Sequence, residues 1–507
     1  MENRKDKNKS AESDEYCAPK GSKTEHRIGI NGKTQSCSAI AEWMILRKKE
    51  KPAAEIFHVF YQLKGAKNRI RPLTFVFNGG PGAASAFLHM GALGPQRIVF
   101  NGDGTIPKPP TRLTANKETW LGFTDLVFVD PVGTGFSRVV DPKDKKKQDE
   151  AAKSGDGKEA EKKDDKEFFQ INRDLESLCE FFQKFLSKHK RWSSPIFIAG
   201  ESYGGYRVAK LVKKLQQDNG VGLNGAILIS PALEFELLFP TDYNVLGWTS
   251  TFPTMVAASV YHGKSGFFKK KARLAEVLET AENFASNDLT TLLVHGDSLP
   301  ERRKKDIISR MSELLGISED FLSVRAGRLD ILTFARELLK SEKKFCGLYD
   351  ASVTCLDPFP DRAMFEGPDP TLFAIDRLFT AGVNVQLRDT LKLETDRDYE
   401  LLSFEVNESW KNDQKQHDFE SYIGSTDDLR YGMSLNSHMK VFICHGCYDL
   451  VTPYFASTRL MHLMKLNKAQ LPNIDIRQFY GGHMFYTWDE SRRLFHSAMK
   501  DFYKKAL

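Results

Sequence analysis

The chain has 507 residues, 41% hydrophobic and 28% charged, which is the composition of a soluble globular protein with room for roughly two to four domains. Its net charge of +6 is small for this length and the basic residues are dispersed, which argues against a nucleic-acid or anionic-membrane role. No stretch reaches the roughly 18 uncharged apolar residues that span a bilayer.

In chain order, residues 1–25 read as a disordered tail: basic and acidic residues without the apolar run of a secretory signal peptide. The expectation is a cytoplasmic protein, or an exported or periplasmic one if translation starts elsewhere. A hairpin comes next, Arg27-Ile28-Gly29-Ile30 followed by the turn pair Asn31-Gly32. Strand candidates then recur at wide spacing: HVFYQL (58–63), LTFVFN (73–78), DLVFVD (125–130), PIFIAG (195–200), GAILIS (225–230), MKVFIC (439–444) and IDIRQFY (474–480). Short apolar runs ending in Gly, Asp or Ser suit buried parallel strands. Amphipathic segments such as 168–189, with Leu175, Leu178, Phe181, Phe182 and Phe185 on a helical period, lie between several of them. The expected fold is an α/β sheet, mostly parallel, with helices on both faces.

Two insertions interrupt this rhythm. Residues 141–166 contain nine Lys and nine acidic residues, a mobile surface loop by composition. Residues 236–425 are largely helical, as in 273–285, 304–316 and 329–341, and read as a cap. The core is thus expected in two parts, 26–235 and 426–507. Cys444 and Cys447 form a lone C-x-x-C at a strand end, better read as buried thiols than as a redox or metal pair. The seven cysteines fit a reducing compartment better than a disulfide framework.

The chemistry concentrates in Gly200-Glu201-Ser202-Tyr203-Gly204, a G-x-S-x-G frame between a strand and a helix. A serine there needs a base and an orienting acid, in the order Ser…Asp/Glu…His. Asp449, in YDLVTPY, and His483, in FYGGHMFY, follow successive strands in that order. His445 as base and Asp130 as acid are the rivals, each on the wrong side of its partner. The backbone of Tyr203 supplies one oxyanion donor, and Gly80, in the glycine-rich loop Asn78-Gly79-Gly80-Pro81-Gly82, the second. A phosphate-binding role for that loop fails for want of G-K-[ST] and because Pro81 lacks an N–H.

FNGGPGAAS (77–85), LVFVDPVGTGFS (126–137), IAGESYGG (198–205), the block around Asp449 and YGGHM (480–484) together resemble the serine carboxypeptidases, peptidase family S10 of the α/β-hydrolase superfamily. The cap stretches 252–263 and 368–384 resemble the bacterial branch of that family. The resemblance implies an α/β-hydrolase fold and a Ser202–Asp449–His483 triad. It also implies an oxyanion hole of Gly80 and Tyr203, and Asn78, Gly79 and Glu201 holding the C-terminal carboxylate of a peptide. Glu201 can do so only when protonated, since two adjacent carboxylates cannot both stay ionised. Two departures bear on this. The second glutamate of the secreted members is Ala92 here, and the Cys after their NGGPG is Ala83.

The expected activity is therefore a serine-type carboxypeptidase acting through an acyl-enzyme. An esterase or acyltransferase using the same residues is the alternative, and a catalytically idle binding protein the third reading. No cofactor, metal or nucleic acid is expected, the partner being a peptide with a free C-terminus.

Overall fold

The computed structural model describes residues 16–30, 32–65, 71–140, 165–362, 364–414 and 422–507. Nearly all of the charged 141–166 loop, and residues 1–15 of the expected tail, lie outside the described residues. Along the chain the strands are β1 (Ser22–Ile30), β2 (Lys33–Lys48), β3 (Lys51–Leu63), β4 (Leu73–Phe77), β5 (Gln96–Ile98), β6 (Leu113–Ala115) and β7 (Asp125–Val129). They continue as β8 (Arg138–Val139), β9 (Ile196–Glu201), β10 (Gly225–Ile229), β11 (Lys344–Cys346), β12 (Thr354–Leu356), β13 (Lys440–Gly446) and β14 (Ile474–Phe479).

Ten of these form one sheet in the order β1-β2-β3-β7-β4-β9-β10-β13-β14, with β8 paired to β3. From β7 to β14 every neighbour is parallel; the β1–β3 meander joins antiparallel. This is an α/β-hydrolase fold. The central strands are buried on both faces because apolar side chains point both ways. Ile196, Ile198, Ala226, Leu228, Val441 and Ile443 pack beneath the helices Ile171–Lys188 and Tyr203–Asp218. Phe197, Ala199, Ile227, Ile229 and Phe442 pack against the helix Asp489–Ala506 through Phe495, Met499 and Phe502. That two-sided burial is why these runs read as continuously apolar.

Order begins earlier than residue 26. Ser22–Glu25 already pair with Ser38–Ala41, so the tail expected to reach residue 25 is a strand from Ser22 onward. Its inward positions begin with Ser22, Thr24 and His26, a polar alternation without the apolar signature of a strand. The insertion also divides. Helices Val245–Tyr261, Leu274–Phe284 and Glu301–Leu315 form a separate apolar cluster with Tyr448, Leu450 and Phe455, beyond the end of β13. The helix Phe373–Asn384 instead sends Ile375, Leu378, Phe379 and Val383 into the main core, where Phe379 meets Phe87 at 4.8 Å between ring centroids. Among the described residues no helix is long and apolar enough to cross a membrane.

The register aligns the strand ends. Phe77 pairs with Gly200, Ile229 with both Glu201 and Cys444, and Gly446 with Phe479. The loops after β4, β9, β10, β13 and β14 therefore leave the sheet along one edge, the carboxyl edge where open α/β sheets place their sites.

Candidate active site

Ser202 stands between β9 and the helix Tyr203–Asp218 with φ 60° and ψ −124°, a conformation that non-glycine residues rarely hold. Backbone hydrogen bonds pin it there. The Ser202 N–H donates to Ile229 O at 2.9 Å, and its carbonyl accepts from Gly205 at 2.9 Å and Ala232 at 3.1 Å. The flanking glycines are steric requirements: a Cβ on Gly200 would lie 2.1 Å from Gly204 O, and one on Gly204 2.8 Å from Phe77 O.

His483 and Asp449, on loops after β14 and β13, meet through a 2.7 Å hydrogen bond from Nδ1 to Oδ2. Asp449 is fully buried; its Oδ1 accepts the N–H groups of Val451 and Thr452, both at 3.0 Å, and its Oδ2 the Thr452 hydroxyl at 2.6 Å. Burial alone would lower the His483 pKa, but the Asp449 charge and hydrogen bond, with Glu201 nearby, raise it. Ser202 and His483 line one cavity of about 90 Å³ without a hydrogen bond closing between them, a looseness common in free enzymes. The rivals are spent elsewhere. His445 is buried between Thr452 O (3.1 Å) and Ser457 Oγ (2.9 Å), and burial pushes its pKa down to about 4. Asp130 Oδ1 accepts from the N–H and hydroxyl of Ser85, both at 2.8 Å.

The loop 78–80 lies against the serine. An added Cβ on Gly79 would sit 2.5 Å from the Tyr203 nitrogen and 2.9 Å from Ser202 Cβ, and Gly80 lines the same cavity. The Tyr203 amide opens its helix, where amides have no intrahelical partner. Asn78, Gly79, Gly80, Tyr203, Glu201, Ser202, His483 and Asp449 are thus gathered at one place.

Glu201 is buried, and its Oε2 accepts hydrogen bonds from Asn78 Nδ2 and from the Tyr486 hydroxyl at 3.1 Å. Its Oε1 has no partner. Burial raises the carboxyl to about 7 against the opposing pull of His483, Tyr486 and Asn78. Ala92 brings no carboxyl; the Tyr486 ring instead covers the neighbouring Gly91, whose added Cβ would meet it at 2.6 Å. A phenol thus partners Glu201 in a site where the sequence offered no acid. Cavity walls come from Ala83, Phe87 and Met484, and from Tyr349, Leu372 and Leu402 of the insertion.

Three supporting residues escaped the sequence reading. Thr452 clamps the acid, and Tyr486 lies three residues past His483. Arg207 donates to Asp174 Oδ2 at 2.7 Å and to Asn78 O at 3.0 Å beneath the glycine loop. Both members of that ion pair are buried, and burial raises the Asp174 pKa against the pull of Arg207. Arg207 belongs to the same GESYGGYR stretch as the serine, but nothing local shows where its guanidinium goes.

The sequence model of the serine carboxypeptidase family matches residues 39–296. Serine carboxypeptidase-like 5 of Arabidopsis thaliana is 30% identical over 202 residues, 38% of this chain and 39% of that one. Serine carboxypeptidase 3 of Triticum aestivum is 29% identical over 202 residues, 38% of this chain and 33% of that one. The chain thus spans about two-fifths or less of the length of these curated relatives. A monoglyceride lipase structure from Saccharomyces cerevisiae is 12% identical, covering 92% of this chain and 94% of that one with a TM-score of 0.36.

Proposed function

Because the chain belongs to the serine carboxypeptidase family, we propose that it is a serine-type carboxypeptidase releasing C-terminal residues through an acyl-enzyme. The observation that carries this reading is the convergence of a strained Ser202, the His483–Asp449 pair and a buried, half-satisfied Glu201 on one small cavity. In the proposed cycle, Ser202 Oγ attacks the carbonyl of the last peptide bond while His483 Nε2 takes its proton. Asp449 holds Nδ1 and stabilises the imidazolium that forms. The amides of Gly80 and Tyr203 receive the developing oxyanion. His483 then protonates the leaving amine, the C–N bond breaks, and water repeats the sequence to free Ser202.

Substrate class turns on Glu201. Among the described residues no Lys or Arg lines the cavity, so a terminal carboxylate would be held by hydrogen-bond donors. Protonated Glu201 supplies one from the oxygen that has no other partner, while Asn78 and Tyr486 secure the opposite oxygen.

Incubation with a mixed peptide library, read by mass spectrometry, tests the proposal. Stepwise loss of C-terminal residues, abolished by Ser202→Ala together with fluorophosphonate labelling, is expected. Labelling without C-terminal trimming would overturn the carboxypeptidase assignment; absence of labelling would overturn the serine mechanism. The apolar walls and Ala92 favour, as a second reading, an esterase or acyltransferase on the same residues. Faster turnover of blocked esters than of free-C-terminus peptides at every pH would select it.

A further inference from the structure

Away from the catalytic cavity, Glu42 on β2, His58 on β3 and His189 at the end of the helix Ile171–Lys188 converge. Their donor atoms all lie within 4.8 Å of one another, the only such trio found among the described residues. Glu42 and His58 are direct cross-strand partners, so sheet register places them together. His189 caps an 18-residue helix whose carbonyl end favours a cation.

Two observations make this more than a polar cluster. His58 is completely buried, ringed by Phe181 and Phe185 at 5.1 and 5.5 Å; its Nδ1 has no hydrogen-bond partner, and its Nε2 faces only Glu42 Oε1 at 3.5 Å. The His189 Nε2 likewise meets only Glu42 Oε1, at 3.3 Å. A fully buried imidazole with one nitrogen bare and the other held only by a long contact costs free energy and leaves room for an unseen partner. The spacing also fits one. Glu42 Oε1 lies 3.5 Å from His58 Nε2 and 3.3 Å from His189 Nε2. Those two separations are long for hydrogen bonds but close to the edges of a tetrahedron about a zinc-sized ion, about 3.3–3.4 Å for bonds of about 2.0–2.1 Å, and the third, between the imidazoles, is within 4.8 Å.

We propose that Glu42, His58 and His189 form a binding site for a zinc-class divalent transition-metal ion, which clamps the β2–β3 hairpin to the end of the helix Ile171–Lys188. Two imidazoles and one carboxylate make three ligands, and water on the solvent side takes the fourth position, since Glu42 and His189 keep side-chain exposures of 20% and 12%. The Lys188 ammonium, 2.8 Å from Glu42 Oε1, is the ion's competitor. Its side chain is half exposed, so it can swing into solvent when the ion binds.

The test uses tag-free, chelator-stripped full-length protein titrated with Co²⁺ and then Zn²⁺. Expected are one ion per chain, visible d–d bands of four-coordinate Co²⁺ that vanish as Zn²⁺ displaces it, and a rise in Tm with Zn²⁺. Glu42→Gln and His189→Ala, both at the rim, should each weaken binding by about 100-fold or more while leaving the metal-free Tm near that of the stripped wild type. Lys188→Ala should tighten it by removing the competing charge. Absence of the Co²⁺ bands, or bands indifferent to His189→Ala, would overturn the site. So would a Lys188→Ala protein that binds no ion, which would leave the trio as an ion-pair cluster.

Discussion

Replacing Glu201 by Gln probes the carboxylate clasp directly. The amide keeps the shape: its oxygen can accept from Asn78 and Tyr486, and its NH₂ takes the place of the unpartnered Oε1. What is removed is ionisation. Burial lifts the Glu201 carboxyl from an ordinary 4.5 to about 7, a preference for the neutral form on the order of 3 kcal/mol. In the wild type, kcat/KM on free-C-terminus peptides should therefore fall about tenfold per pH unit above the Glu201 pKa, while ester turnover persists. Both substrates should share an acid limb, because His483 must be neutral to act as base. Ionised Glu201 is one cause of the raised His483 pKa, so Glu201→Gln should move that limb to lower pH and erase the alkaline limb on peptides. Stability follows the same proton. A carboxyl whose folded pKa is raised stabilises the folded state less as pH climbs from its unfolded pKa through its folded one, and is neutral below both. The wild type should thus lose up to about 3 kcal/mol between pH 4.5 and 7 from this group, a loss absent in Glu201→Gln. Parallel wild-type profiles for peptide and ester, or an alkaline limb on peptides that survives in the Gln variant, would refute the reasoning.

Tyr486→Phe removes a donor that favours ionised Glu201, so the alkaline limb on peptides should rise by up to about one pH unit, read from the same paired profiles. Arg207→Leu leaves Asp174 buried without its partner and should cost about 3–5 kcal/mol in chemical denaturation, with kcat falling because Asn78 O loses its support. Gly79→Ala drives a methyl against the Tyr203 amide and should lower kcat by about 100-fold or more with unchanged circular dichroism. Thr452→Val deletes a hydroxyl donor to Asp449 Oδ2 and should raise the His483 pKa, since the acid's charge is then less shared. Histidine NMR titration would show no shift if Thr452 were only packing.

All seven strand candidates became strands of the sheet; the central ones were legible because two-sided burial writes itself as uninterrupted hydrophobicity, whereas the edge strand β14 is half exposed. Of strand β1 only Arg27–Ile30 was legible, beside its Asn-Gly turn; the inward Ser22, Thr24 and His26 ahead of it carry no apolar period. The division of the insertion was hidden too. Both halves show helical periodicity, and only the packing of Phe379 on Phe87, against Leu450 and Phe455 on the other helices, tells them apart.

By itself the sequence determined the parts that local chemistry dictates. A serine between glycines at a strand end, then an acid and a histidine after later strands, are spelled out along the chain in order. Tertiary structure alone decided what those residues lean on: Tyr486 on Glu201, Thr452 on Asp449, Arg207 beneath Asn78, and Glu42 beside His58 and His189. All but the Thr452–Asp449 contact, made within one turn, join distant segments by strand register and burial. The degree of burial that sets Glu201 near neutrality, and leaves the His58 Nδ1 without a partner, exists only once distant segments close over them.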